Sequence, residues 1–415
     1  NVFQLVVQYG AGEREFPKLG YAAQLMNNAG IMGAYEPQEL KEELSKLNAT
    51  CHVTADDDNL YIIMEGYEAT LPQACQLLSR QILMPKLDEK QLARLKGSAM
   101  GMRQQRKDNV SILNEALRQY MLYGEKSDYI KELTDKEIYE LQISELTGDI
   151  NRASNYEAKV FFTGTLPFDQ VYDILSKNLP LVANERPSNS PQAKEMMPVT
   201  ENTVYFLPNN DAEQAQIHLY IPMQKADKKD DVLRSAFNQY FGLDFTGIVL
   251  NEIREKRSMA YTAYAFVGTQ GIAGKASYLR GYIGTQNDKA NDALDVLMGL
   301  VNDMPKNPER IDNIKSYLRQ AMLTSHPSFR NKAMELVDLG YRGYTDDPAK
   351  ENLPKVDALT FDDIVKFYEE NIKDKPYCIS IMGNPKNIDL KRLEKFGKVV
   401  KLNERKLFNT KDALF

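Results

Sequence analysis

His52, His218 and His326 are the only imidazoles in a chain of 415 residues, and Cys51, Cys75 and Cys378 the only thiols. A protein zinc site draws three or four nitrogen, sulfur or oxygen ligands together, and none of these residues has a partner at ligand spacing. The cysteines form no C-x-x-C pair and are odd in number, so they read as small buried apolar residues and not as a metal ribbon or a disulfide framework. No G-x-S-x-G elbow occurs, and no Ser or Cys sits beside a His in a nucleophile pattern. Asp56-Asp57-Asp58-Asn59 lacks the Gly and Glu of a calcium loop and reads as a solvated turn. Gly10-x-Gly12 lacks the third Gly and the following helix of a dinucleotide site. His218 lies in a strand-like run in which Ile217 and Leu219 point the other way, so its expected role is structural.

One segment could do chemistry in company. From Phe245 to Tyr264 the chain reads FTGIVLNEIREKRSMAYTAY. Ile248, Val249 and Ile253 make an apolar helical stripe, and Glu252 with Lys256 forms an i,i+4 pair on the exposed side. The helix should end near Arg257 or Ser258, with a strand rich in Tyr, Thr and Ala after it. Arg254 in the last turns and Tyr261 at the start of the strand would then share one end of a sheet. A surface Arg and a packed Tyr would fit the same composition.

The elements that must position this pair come from an internal duplication. Met84-Pro85-Lys86 precedes an expected helix from Glu89 to Gln105, and Met304-Pro305-Lys306 precedes one from Glu309 to Leu323, an offset of 304 − 84 = 220 residues. Gly66-Tyr67 leads into a helix from Leu71 to Gln81, and Gly281-Tyr282 into one from Ala290 to Asn302, an offset of 281 − 66 = 215. Thr134 and Thr360 are expected N-caps. Each repeat then closes on an apolar strand ending in Gly, Lys159 to Gly164 and Tyr377 to Gly383. Pro187, Pro191 and Pro198, interleaved with Ser and Asn, mark a linker over 184–200. The expectation is an α+β chain of two similar domains, 1–183 and 201–415, each a mainly antiparallel sheet covered by helices.

Bulk properties exclude other classes. The 58 acidic and 52 basic residues give a net charge of −6 and are spread along the chain, which argues against nucleic acid or an anionic membrane surface as partner. No run of 18 apolar residues is present, so nothing is expected to span a membrane. The opening NVFQLVVQY has neither an initiator Met nor the basic and apolar blocks of a signal peptide, and reads as a strand of an excised or processed chain.

The stretch Asn251 to Tyr261, NEIREKRSMAY, resembles the EIREKRGLAY signature of the pitrilysin/insulinase metallopeptidases, including their processing-peptidase branch, and the duplicated plan agrees with it. The resemblance implies one half of a clamshell: four similar α+β domains, two per half, closing around an extended peptide. In the catalytic half an inverted zinc motif, H-x-x-E-H, lies on the first helix and supplies two ligands and the general base. The matching helix here runs from Gly20 to Gly30. Its best register puts Ala23 and Asn27 where the two His belong and Met26 where the Glu belongs; a shift of one gives Gln24, Asn27 and Asn28. Neither set can activate a zinc-bound water.

What the resemblance leaves to this half is an Arg and a Tyr seven residues apart, at Arg254 and Tyr261, contributed to the partner's active site. Arg257 is the other basic candidate, but it stands four residues from Tyr261. Ser258 departs from the signature's Gly, at a position just past the helix where a left-handed conformation is cheapest for Gly. The resemblance thus implies a part of a zinc endopeptidase that is inactive alone, with no cofactor in this chain, zinc in an H-x-x-E-H-bearing partner half, and peptide substrates. The alternative is a structural or scaffolding subunit. Compartment stays open, with a bacterial periplasm or cell envelope first by analogy and the cytoplasm next.

Overall fold

The computed structural model describes residues 1–106, 109–179, 186–189, 191–242 and 246–410. Phe245, and the expected domain and linker limits at 183 and 184, therefore lie outside the described residues. The strands are β1 (Val2–Tyr9), β2 (Gly30–Ile31), β3 (Thr50–Ala55), β4 (Leu60–Tyr67), β5 (Pro85–Lys86), β6 (Ala158–Thr163), β7 (Thr203–Pro208), β8 (Gln214–Lys225), β9 (Ala260–Thr269), β10 (Ala276–Gln286), β11 (Cys378–Gly383) and β12 (Lys398–Lys401). They build one sheet in the order β3-β4-β1-β6 and a second in the order β12-β7-β11-β8-β10-β9, with β2 and β5 paired apart. The chain is α+β, as the sequence indicates.

The first sheet is antiparallel throughout. The second is mixed, because β7 pairs in parallel with both β11 and β12. Parallel neighbours need long crossovers, and here the chain between β7 and β11 contains most of the helical layer of the second half.

Local signals explain several helix starts. The helix Glu89–Gln105 starts at Asp88, which forms a reciprocal capping box with Gln91. Thr134 and Thr360 cap the helices Asp135–Tyr139 and Phe361–Asn371 in the same way, with Glu137 and Asp363 reaching back. Ala290–Asn302 is helical as its periodicity predicts, whereas Pro308–Arg310 forms a 3₁₀ turn before the helix Ile311–Thr324.

Alternation fixes the two faces of the second sheet. Ile217, Leu219, Ile221, Leu279, Ile283, Ile379 and Ile381 face a core shared with the helices Asp231–Phe241, Ala290–Asn302, Ile311–Thr324 and Phe361–Asn371. The opposite face carries Leu207, Tyr220, Cys378 and Met382, and it is covered by a helix from the other half of the sequence. Leu113, Ala116 and Leu117 of Val110–Tyr123 pack on Leu207 and Met382, while Met121 and Leu122 pack on Tyr220 and Cys378.

The favour is returned: Ala333 of the helix Lys332–Tyr341 packs on Val6 and Tyr61 of the first sheet, and nearby Arg330 bonds Glu65 through Nε at 2.8 Å. The two exchanged helices occupy the same place in the duplication, after the helices Glu89–Gln105 and Ile311–Thr324. Each sheet thus takes its second cover from the other repeat, which the sequence-based division at 183/201 does not anticipate.

Candidate functional site

The helix Ile248–Leu250 does not run on as an α-helix to Ser258; Asn251–Glu255 form a wider π turn, in which the Lys256 amide bonds the Asn251 carbonyl at 2.9 Å. Single π turns insert one extra residue per turn and often occur at functional sites. Glu252 binds Lys256 Nζ at 2.5 Å and also takes Arg257, whose guanidinium bonds the Glu252 carbonyl at 2.7 Å. These two cations hold the Glu252 carboxyl below its usual range. Arg257 is therefore engaged on the helix itself.

Ser258 then reverses the chain at φ +49°. This is the left-handed conformation expected where the signature has Gly, and it costs a residue with a Cβ about 1–2 kcal/mol. The Ser258 amide closes on Arg254 O at 2.8 Å and the Met259 amide on Ile253 O at 3.0 Å, which satisfies the carbonyls at the helix end. Lys289 Nζ bonds the Ser258 carbonyl at 3.2 Å.

A β-bulge follows. Thr262 pairs with Gly284 but Ala260 pairs with Thr285, so Tyr261 is the extra residue on β9. Ala260 turns into the core while the Tyr261 side chain stands 78% exposed. Bulges re-aim side chains in this manner. The Arg254 guanidinium lies over the Tyr261 ring, 5.2 Å from its centroid, with its Nε 3.5 Å from Glu255. Arg254 and Tyr261 thus sit side by side on an open groove that Thr285, Gln286 and Lys289 also line. The arrangement offers an O–H and a guanidinium to one ligand, with the Glu255 carboxylate beside Arg254 on the same groove.

The positions that would carry a zinc motif have different occupations. Ala23 and Met26 are core residues of the first sheet, 1% and 3% exposed. Asn27, just past the helix Leu19–Met26, gives Nδ2 to Val53 O at 2.8 Å and accepts from Val53 N at 2.7 Å, closing the outer edge of β3. Asn238 treats β9 identically: it accepts from Val267 N at 2.6 Å and donates to Val267 O at 3.0 Å, and Gly242 O takes the Ala265 amide. The offsets, 238 − 27 = 211 and 267 − 53 = 214, place the two asparagines at corresponding points of the duplication. Open edges invite pairing with another chain, and a carboxamide that both gives and accepts blocks them. An alkyl, a thioether and an engaged carboxamide do not fit zinc, and in the shifted register Asn28 donates to the carbonyl of Gln24.

Elsewhere, no group of three His, Cys, Asp or Glu side chains that could hold an ion occurs among the described residues. His218 is 3% exposed, with Nε2 3.1 Å from Asn114 Oδ1 of the exchanged helix. Burial pushes the thiols of Cys75 and Cys378 up, to about 12 and about 11, so neither is a thiolate at neutral pH. Asp56 accepts from the amides of Asp58 and Asn59, making the acidic run a β3–β4 turn. No helix among the described residues is long and apolar enough to cross a membrane. Sequence reasoning missed the paired asparagines and the bulge; the signal for the first was an Asn at one point of both repeats.

Residues 154–318 match the family model of the peptidase M16 inactive domain, which includes Arg254 and Tyr261. No curated protein matches the chain. Among solved structures, the peptidase M16 inactive domain from Pseudomonas fluorescens is similar at TM-score 0.72 and 16% identity, over 94% of each chain. The periplasmic protease PqqL from Escherichia coli is similar at TM-score 0.71 and 13% identity, over 92% of this chain and 43% of that one. The ferredoxin protease FusC, in complex with Arabidopsis ferredoxin, is similar at TM-score 0.73 and 12% identity, over 92% and 42%. The chain thus spans less than half the length of those two proteases and nearly all of the Pseudomonas inactive domain. At these identities the structures speak for the fold, and the match over 154–318 ties that stretch of the chain to the peptidase M16 inactive domain.

Proposed function

We propose that this chain grips extended peptides for an H-x-x-E-H-bearing partner half and contributes Arg254 and Tyr261 to that partner's active site. The observation that carries the reading is the exposed Arg254–Tyr261 pair, stacked at 5.2 Å and aimed outward by a bulge and a left-handed Ser258. Tyr261 donates a hydrogen bond to the oxyanion that develops on the scissile carbonyl, and Arg254 holds a main-chain carbonyl of the substrate. A donor aimed at charge that exists only in the transition state is worth roughly 10² to 10³ in rate. Zinc and the general base belong to the partner, since Ala23, Met26 and Asn27 can supply neither.

The test is peptide hydrolysis by this chain, by a zinc-loaded H-x-x-E-H half, and by the two mixed. Activity confined to the mixture, and a kcat about 10² lower with Tyr261→Phe at unchanged folding, is the expected result. Full turnover with both Tyr261→Phe and Arg254→Ala would remove the proposed roles. No gain on mixing would leave the chain as a scaffolding subunit.

A further inference from the structure

On the face of β9 and β10 turned away from the helical core, Tyr264, Phe266, Arg280 and Tyr282 are all half-exposed. Arg280 pairs across the ladder with Phe266 and Tyr220, and Tyr282 with Tyr264 and His218. The rings are close enough to form a continuous platform: Tyr264 to Tyr282 at 5.2 Å, Tyr264 to Phe266 at 6.0 Å and Tyr282 to His218 at 5.1 Å.

In this platform the Arg280 guanidinium has no counter-ion among the described residues. Its Nε is shielded from water and meets no acceptor, and none of its nitrogens joins an ion pair among the described residues. Arg118, the other guanidinium bearing on His218, is neutralised by Glu115, with its Nε 2.7 Å from that carboxylate. His218 Nδ1 and Ser380 Oγ, opposite one another on β8 and β11 and 3% and 0% exposed, are themselves without partners.

A buried donor left unpaired costs about 1–3 kcal/mol, and more when it carries charge. A surface arginine avoids this by turning into water; here the shielded Nε cannot. We infer that Arg280, on its aromatic platform, is a binding subsite for a carboxylate of an extended peptide, either an acidic side chain or a free C-terminus. Planar guanidinium and carboxylate pair through two parallel hydrogen bonds, and the flanking rings exclude the water that would weaken them. The inference rests on the peptide-gripping reading and adds a substrate class to it. Phe266, opposite Arg280, lies five strand positions from Tyr261, about 17 Å at the usual rise, so an extended peptide at Tyr261 reaches Arg280 with a carboxylate about five residues from the scissile bond.

The experiment uses the chain alone and so does not depend on the partner half. Fluorescein-labelled decapeptides of Ala, Ser and Leu are titrated by anisotropy in four forms: one central Glu, the same with Gln, the same with Lys, and a neutral peptide with free in place of amidated C-terminus. The Glu form or the free C-terminus should bind at least tenfold tighter than its neutral counterpart, and which of the two does so identifies the source of the carboxylate. Arg280→Gln should abolish the preference, and Arg280→Glu should transfer it to the Lys peptide, with urea midpoints showing both variants folded. Equal binding of charged and neutral forms, no measurable binding of any, or a preference that survives Arg280→Gln overturns the inference. Failure of the mixing experiment together with a carboxylate preference here would refute the catalytic reading and leave the subsite standing.

Discussion

Acidification from pH 7 to pH 5 should weaken the protein through one buried imidazole. His218 sits beneath the exchanged helix, between Asn114 and two guanidiniums; burial first, and then Arg280 and Arg118, depress its pKa from 6.5 to about 3. The unfolded chain protonates this side chain below about pH 6.5, whereas the folded chain holds it neutral. The stabilisation is therefore complete above pH 6.5 and is lost as pH falls toward 3. At 1.36 kcal/mol per pH unit, pH 5 lies about 1.5 units into the window and costs about 2 kcal/mol.

Other groups titrate nearby. The Glu13 carboxyl, raised to about 7 by burial and by Asp57, has the opposite sign and gains stability as pH falls. A difference measurement removes such common contributions: urea unfolding at pH 7, 6 and 5 for the wild type and for His218→Gln, which keeps a donor for Asn114 and cannot titrate. The wild type should lose about 2 kcal/mol more than the variant between pH 7 and pH 5. Parallel profiles would refute the assignment of a buried, neutral His218.

Ser258→Gly removes a left-handed strain from a side chain that makes no hydrogen bond of its own among the described residues; urea unfolding should show a gain of about 1 kcal/mol. Asn27→Ala or Asn238→Ala should each cost about 1–2 kcal/mol by the same measurement, and light scattering should detect self-association at the reopened strand edge, absent in the wild type. Asn27→His should likewise lose the clamp and gain no stoichiometric zinc, as read by metal analysis after dialysis. Leu117→Ala, at a site that is 0% exposed, should cost about 2–5 kcal/mol, and hydrogen exchange should report the loss in β7 and β11 of the second sheet, not in β1 and β4.

What could be read from the chain itself was what is local or periodic. Met-Pro-Lys at 84 and 304, the Thr-led capping boxes at 134 and 360, and the alternation around His218 are short-range rules that any later packing must respect. They were enough for the α+β class and for a core-directed Ile217 and Leu219; the left-handed turn at Ser258 is seen only in the structure. The seven-residue spacing from Arg254 to Tyr261 was visible too, but its consequence was not. A helix of regular pitch and a strand of regular pleat would aim Tyr261 differently; the π turn and the bulge each insert a residue into the local repeat, and between them Arg257, Lys289 and Thr285 bond the carbonyls of Glu252, Ser258 and Met259.

The rest depends on contacts between residues far apart in sequence. Nothing within 110–123 tells that Leu113 and Leu117 will cover Leu207 and Met382, because an amphipathic helix specifies that it has a partner and not which one. The parallel pairing of β7 with β11 and β12, the clamp of Asn27 on Val53, and the unpaired guanidinium of Arg280 share that origin. Each is a statement about which neighbour is missing or present across the fold. A sequence determines what a side chain can do; the tertiary structure decides what it meets.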